Sequence, residues 1–214
     1  MVDPHVPAHA GVRRAWVIAG AMLLASVVID LAAQPSTVVF TGAGILGTVL
    51  FSASLLVFAF GTRGSDSVTA RKPLGTAALA VLALWTLLLP ALQSVFFPVG
   101  DPPGPLLALG FVDSFVRFAA ALIAIIQIAR AGVVPRPWNW APAWPLGAMV
   151  ALWLTTQVVV FGSAQESQVI AAGIVVNLDS LVRVGSAVFL GVLAIVLANR
   201  PTRPQSVPVY STPD

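Results

Sequence analysis

The sequence predicts an all-α, polytopic membrane protein: a bundle of six transmembrane helices with both termini in the cytoplasm. Composition indicates the class, because 58% of the 214 residues are hydrophobic and only 9% are charged, whereas a soluble domain has about 25% charged residues. The mean hydropathy of +0.94 agrees with this class. The distribution of apolar residues predicts six helices, because each of six apolar runs approaches or exceeds the roughly 20 residues that cross a hydrocarbon core.

Short segments with proline, glycine or charge separate the apolar runs. A polar tail, residues 1–14, precedes the first run, and a proline-rich tail, residues 199–214, follows the last and is predicted to be disordered. The sixth run is longer than one crossing needs, so its helix should tilt or project from the bilayer. The predicted spans are residues 15–33, 38–60, 74–98, 105–129, 143–161 and 168–198.

Residues 1–33 have an alternative interpretation as a cleaved signal peptide. Arg13 and Arg14 precede an apolar stretch that ends in small residues, which is the order of a secretory signal. The stretch is long for a signal peptide, and Asp30 interrupts its end. Cleavage would leave five spans, with the orientation of the remaining helices unchanged.

Basic residues set the predicted orientation. With six spans, the loops on one side carry every extramembrane Lys and Arg, and those on the other side carry only the acidic Asp101 and Glu166. The positive-inside rule makes the basic side cytoplasmic, together with both termini. Lys72 is the only lysine against ten arginines, a bias that indicates a bacterial genome and therefore the bacterial cytoplasmic membrane. The residues on the basic side are Arg13, Arg14, Arg63, Arg71, Lys72, Arg130, Arg136, Arg200 and Arg203.

Two helical hairpins share an internal repeat. The motif Asp-Ser-x-Val-Arg begins at Asp113 in the fourth span and at Asp179 in the sixth. Upstream of these copies Trp85 matches Trp153, and we interpret both as packing residues. Hairpins that repeat without inversion are related by an axis along the membrane normal, so equivalent residues should lie at equal depth. The repeat units cover residues 74–130 and 143–200, with residues 15–63 as a degenerate third copy.

Each copy of the motif places a carboxylate and a guanidinium four residues apart, on one helix face. The helical rise puts both pairs in the outer third of the bilayer, where ionisable side chains face the bundle interior or a wet cavity. We expect all the charges to point inward and to form one connected network. The functional interpretation is an outward-facing pocket; the structural one is that the pairs neutralise each other and fix helix packing. The candidate residues are Asp113, Arg117, Asp179, Arg183, Ser114, Ser180, Asn177 and Asp30.

Residue types exclude most cofactor and enzyme classes. The chain has no cysteine, its histidines are confined to the N-terminal tail, and Lys72 lies in a loop, so thiolate metal sites, bis-histidine haem and a retinal Schiff base are excluded. We therefore predict no metal and no cofactor. Ser114 and Ser180 have no base nearby, so the chain is not expected to be an enzyme. The pI of about 10.6 comes from basic residues scattered over loops, so nucleic acid is not an expected partner.

Two functional classes stay open on the sequence alone. In the first, the chain binds or transports a small polar or anionic solute, with Arg holding the anionic group and Asp coupling to a proton or cation. In the second, it is a non-catalytic accessory or scaffold subunit for another membrane protein. The lipid bilayer is the expected partner in both, and no motif identifies the solute.

Overall fold

The computed structural model describes residues 9–33, 41–61, 67–70, 72–96, 103–134, 137–162 and 168–200. Most of the predicted N-terminal tail and all but the first two residues of the predicted C-terminal tail lie outside these ranges. Several residues on which the orientation prediction depends also lie outside them. They are Arg63, Arg71, Arg136, Arg203, Asp101 and Glu166.

The described residues form α-helices and one 3-10 turn, Trp138–Trp140, with no strand, which confirms the predicted all-α class. Each helix overlaps one apolar run, as expected where backbone polar groups must be satisfied within the segment. The first helix begins at His9, before the predicted run, because alanine and arginine are strong helix formers in the intervening residues. The helices are α1 His9–Ala33, α2 Thr41–Phe60, α3 Pro73–Phe96, α4 Pro103–Ala131, α5 Ala143–Gly162 and α6 Gln168–Ala198.

Four helical stretches in the described part of the chain are long and apolar enough to cross a membrane. In α2 the described apolar stretch is shorter, Gly44–Phe60. These helices are compatible with an integral membrane protein surrounded by lipid, whereas six crossings and the cytoplasmic orientation stay predictions. The four stretches are Arg14–Ala32, Pro73–Gln93, Ala108–Ala131 and Gly173–Ala198.

The helices pack in a ring. α1 lies between α2 and α6, and α3 lies between α2 and α4. α5 packs against α6 and touches α4 far less, so the seam between α4 and α5 is the loosest in the ring. In this order, α5 separates α4 from α6.

The contact between α1 and α6 depends on two glycines. A Cβ atom on Gly20 would lie 2.7 Å from the carbonyl oxygen of Gly191, and a Cβ atom on Gly191 would lie 2.9 Å from Cγ of Leu24. Small residues allow helix backbones to approach this closely in membranes. The first and last helices are therefore joined at a tight crossing that no larger side chain fits without a shift.

An apolar cluster closes one end of the ring. Its residues come from α1, α4, α6 and the connections after α2 and α4, and they pack together with Trp138 and Leu197. We call this the basic end, because Arg14 and Arg130 lie close to the cluster residues Ala15 and Ile128 in the chain, and Lys72 bonds to the carbonyl oxygen of Arg130. The closing cluster consists of Ala15, Trp16, Val68, Ile128, Val134 and Ala198.

Buried hydroxyl groups fasten the α2–α3 connection at the basic end. Ser67 is 1% exposed and donates through Oγ to the carbonyl oxygen of Ala59. Thr69 is fully buried, and its Oγ1 lies 3.0 Å from Oγ1 of Thr76 at the start of α3. Lys72 Nζ donates to the carbonyl oxygen of Arg130 at 3.1 Å and so satisfies the C-terminus of α4. These bonds hold α2, α3 and α4 together at this end.

Packing is much looser at the opposite end, which we call the open end. None of residues 108–119 of α4, 147–159 of α5 or 173–185 of α6 is buried. α1 is buried at intervals from Ala15 to Val27, and α3 still buries Leu89 near its open-end terminus. The ring is thus tight around α1, α2 and α3 and spread open where α4, α5 and α6 leave the closing cluster.

Candidate functional site

The Asp–Arg pair of α4 is bound to a tryptophan of α3. Arg117 Nε donates to Oδ1 of Asp113 at 2.5 Å, and the two side chains are 34% and 22% exposed. Trp85 Nε1 donates to the same carboxylate oxygen at 2.8 Å. Trp85 is therefore a hydrogen-bonding residue of the site and not only the packing residue that we expected from the sequence. Its match to Trp153 within the repeat was the available signal, because the repeat pairs a tryptophan with each aspartate.

The second ion pair, on α6, is more exposed, and among the described residues it has no hydrogen bond from a tryptophan. Arg183 Nε donates to Oδ2 of Asp179 at 2.6 Å, and the side chains are 63% and 46% exposed. Trp153 is 44% exposed, and among the described residues no hydrogen bond joins it to Asp179. The two copies of the motif therefore share the internal ion pair and differ in their contact with the preceding helix.

The Asp113–Arg117 pair lies on one face of α4, and the part of this face that is nearer the basic end is buried. Asp113 and Arg117 belong to one stripe of residues at helical spacing. The residues of this stripe that lie nearer the basic end are buried. The opposite face is exposed and apolar, as a lipid-facing surface would be. The buried members of the stripe are Ala120, Ala124 and Ile128. The exposed residues opposite are Phe115, Phe118 and Leu122.

The α6 pair has the corresponding placement. Asp179 and Arg183 continue a stripe that includes the buried Ser186 and ends at Leu197, which packs against the closing cluster. The other side of α6 is exposed and apolar along its length. Both pairs thus lie on the helix face that becomes buried closer to the basic end. The exposed residues on the outer side of α6 are Leu181, Val188, Val192 and Val196.

Asp30 lies at the same level as the α6 pair. From the Gly20–Gly191 crossing, Asp30 is roughly 15 Å along α1, while Arg183 and Asp179 are roughly 12 Å and 18 Å along α6. Asp30 also lies directly against α2, since a Cβ atom on Gly47 would overlap its carboxylate. Glycine at position 47 therefore allows α2 to pack against the Asp30 side chain of α1. We call Asp30, Asp113, Arg117, Asp179 and Arg183 the charge belt.

The single network stays a prediction, and the two ion pairs are separate among the described residues. No hydrogen bond or ion pair between them joins the α4 pair to the α6 pair, because each arginine finds its aspartate one turn away on its own helix. α5 also lies between α4 and α6 in the ring. Ser114 and Asn177 donate to carbonyl oxygens of their own helices, at Gly110 and Gly173. Ser180, which directly follows Asp179 in the motif, is half-buried.

Some polar atoms of the charge belt have no partner among the described residues and could bind a ligand. Both arginines use Nε for the ion pair, so their terminal Nη groups have no partner among the described residues. Asp30 likewise has no hydrogen-bond or ionic partner in the described part of the chain. The described residues contain no group of three side chains suited to a metal ion. Chemically, the belt offers guanidinium donors for an anion and a carboxylate for a cation or proton.

No family model, curated protein or solved structure matches the chain. A function for the charge belt is therefore inferred from its own geometry.

Proposed function

We propose that the chain is an integral membrane protein that binds a small polar solute with an anionic group in a chamber at the open end of the ring. The observation that carries the proposal is the placement of Arg183. It is 63% exposed, although it lies well inside the apolar stretch Gly173–Ala198 and on the side of α6 that continues to the buried Ser186. An arginine at such a position faces a wet cavity more readily than lipid, because charge in hydrocarbon is costly.

The free Nη groups determine the class of solute. A guanidinium presents N–H donors in a planar fork that matches carboxylate and phosphate oxygens. With Nε held by aspartate, Arg117 and Arg183 each direct their remaining donors from a fixed position. Each ion pair is neutral, so the site binds an anion through oriented donors without a large excess of positive charge. Asp30, at the same level, would take up a coupled proton or cation.

Cysteine accessibility tests the chamber, because the chain has no cysteine of its own. Val176 and Leu181 are 64% and 67% exposed in the isolated chain, but only Val176 lies on the same side of α6 as Arg183. We expect a charged, membrane-impermeant maleimide added from outside to label Val176→Cys and not Leu181→Cys in intact cells. Labelling after denaturation controls for the amount of each protein.

Equal labelling of the two variants, or labelling of neither in both intact cells and inverted vesicles, would contradict a water-filled chamber. Labelling of Val176→Cys only in inverted vesicles would retain the chamber and reverse the proposed orientation. A solute that binds through Arg183 should slow the labelling of Val176→Cys, so competition with simple carboxylates and phosphates would define the ligand class.

A non-catalytic scaffold role is the alternative, and one observation favours it. Asp113 and Asp179 are each neutralised by an arginine of their own helix, and Asp113 is further bonded to α3 through Trp85. Such contacts fix helix packing without any solute. Under this alternative Val176→Cys would resist the impermeant reagent, because partner or lipid contacts would cover the inward face.

A further inference from the structure

An open groove runs between α5 and α6 near the basic end. Its volume is about 660 Å³, and its lining is mainly apolar and aromatic. The floor is open at Gly185, where an added Cβ atom would meet no atom within 4 Å. The residues that give the groove its character are Trp138, Ala141, Trp144, Ala148, Val182 and Phe189.

Arg200 stands at the basic end of the groove. The guanidinium of Arg200 lies over the ring of Trp138, 5.7 Å from its centroid, which is a cation–π contact. Arg200 is exposed and has no carboxylate partner among the described residues. Tryptophan and arginine together at a helix end are typical of the membrane–water interface. The groove therefore has a positively charged mouth and an apolar body.

The dimensions suit one lipid chain. The groove is lined along α6 from Val182 to Phe189, and Arg200 lies roughly 27 Å along the chain direction of α6 from Val182, which is more than the ~15 Å of hydrocarbon in one leaflet. An acyl chain can therefore lie along the groove with its headgroup at Arg200. A helix of another protein would fill the apolar body equally well but would leave the cation at the mouth without a partner.

We propose that this groove binds an anionic phospholipid of the leaflet at the basic end, with an acyl chain against Trp144, Val182 and Phe189 and the phosphate at Arg200. Basic pockets between transmembrane helices on the cytoplasmic side bind anionic headgroups in this way. The proposed phosphate position is distinct from the charge belt, because Arg200 lies at the basic end and only the far end of the groove, at Val182, reaches the level of Arg183.

Lipid retention tests the groove. The full-length protein would be reconstituted in vesicles of equal phosphatidylglycerol and phosphatidylcholine, extracted in mild detergent, and its bound lipid measured by mass spectrometry. We expect phosphatidylglycerol to be enriched several-fold over phosphatidylcholine. Arg200→Gln should bring the ratio close to that of the vesicles, while Arg14→Gln, an exposed cation at the same end, should leave the enrichment intact.

Filling the groove gives a second measurement. Gly185→Leu should lower the retention of both lipids, whereas Gly44→Leu, placed where an added Cβ also meets nothing within 4 Å, should not. Circular dichroism before extraction shows that each variant is folded. Unchanged enrichment in Arg200→Gln, an equal loss in Arg14→Gln, or unchanged retention in Gly185→Leu would each overturn the proposal.

Discussion

Asp113 accepts two donors on one carboxylate oxygen, from Arg117 on its own helix and Trp85 on the neighbouring helix. The first contact follows from helix geometry alone, because residues four apart are adjacent on a helix surface. The second joins two helices and therefore depends on how they pack. Asp179 has the first kind of contact and, in the described part of the chain, lacks the second. This difference makes the two copies of the repeat a natural control for one another.

We expect Trp85→Phe to lower the free energy of unfolding by about 1 kcal/mol, because it removes a hydrogen bond to a charged group and keeps most of the ring. Trp153→Phe should change it little, since no hydrogen bond of Trp153 to Asp179 is found. Thermal unfolding in detergent micelles compares the two variants. Equal losses would show that the tryptophans stabilise the protein through packing alone.

At the scale of single elements, α1 and α6 meet where glycine removes the side chain from both backbones. The Cβ atom of an alanine at Gly20 would meet a backbone oxygen at 2.7 Å, and a backbone atom cannot move aside as a flexible side chain can. The helices must separate locally to admit it. The loose seam at α5 has no comparable constraint.

Gly20→Ala should therefore destabilise the protein by about 1–3 kcal/mol, the usual range for overpacking. Gly110→Ala is the matched control, because the space around Gly110 is open and alanine is the better helix former. Its stability should be unchanged or slightly higher. Chemical unfolding followed by circular dichroism measures both. A Gly20→Ala variant as stable as the control would mean that the crossing of α1 and α6 is wider than described.

Hydropathy predicted the helices themselves, because whether a segment enters lipid depends on its own composition. The ion pairs were equally predictable, since Asp113–Arg117 and Asp179–Arg183 lie four residues apart in one helix. The contact of Trp85 with Asp113 and the separation of the two pairs were not predictable. They depend on which helices are neighbours, and that order is fixed by local fits such as Gly20 against Gly191, which hydrophobic periodicity does not encode.

Charge is segregated along the described part of the molecule. The described basic residues outside the ion pairs flank the closing cluster, while the charge belt occupies the opposite half of the ring. This segregation agrees with the predicted orientation, in which the basic end faces the cytoplasm. A molecule arranged in this way would present a closed, cationic end inside and a looser, polar interior to the outside.

Reporter fusions test that orientation. We expect alkaline phosphatase to be active when fused after Gly100 and Ser163 and inactive after Gly64, Val134 and Gln205, because the enzyme matures only outside the cytoplasm. Fusions to a reporter that is active only in the cytoplasm should give the opposite pattern. Phosphatase activity after Gly64 or Val134 would rule out six crossings with both termini inside.

The crossing of α1 and α6 also has a consequence for biogenesis. One of the two neighbours of α1 is α6, which follows it far along the chain, so the ring cannot close before α6 has been synthesised. At roughly 5–20 residues per second, the stretch from Gly20 to Gly191 takes on the order of ten seconds to emerge. Throughout that time the glycine face of α1 stays without its partner. The insertion machinery must therefore tolerate a half-built ring, and premature termination before α6 would yield a protein that cannot close.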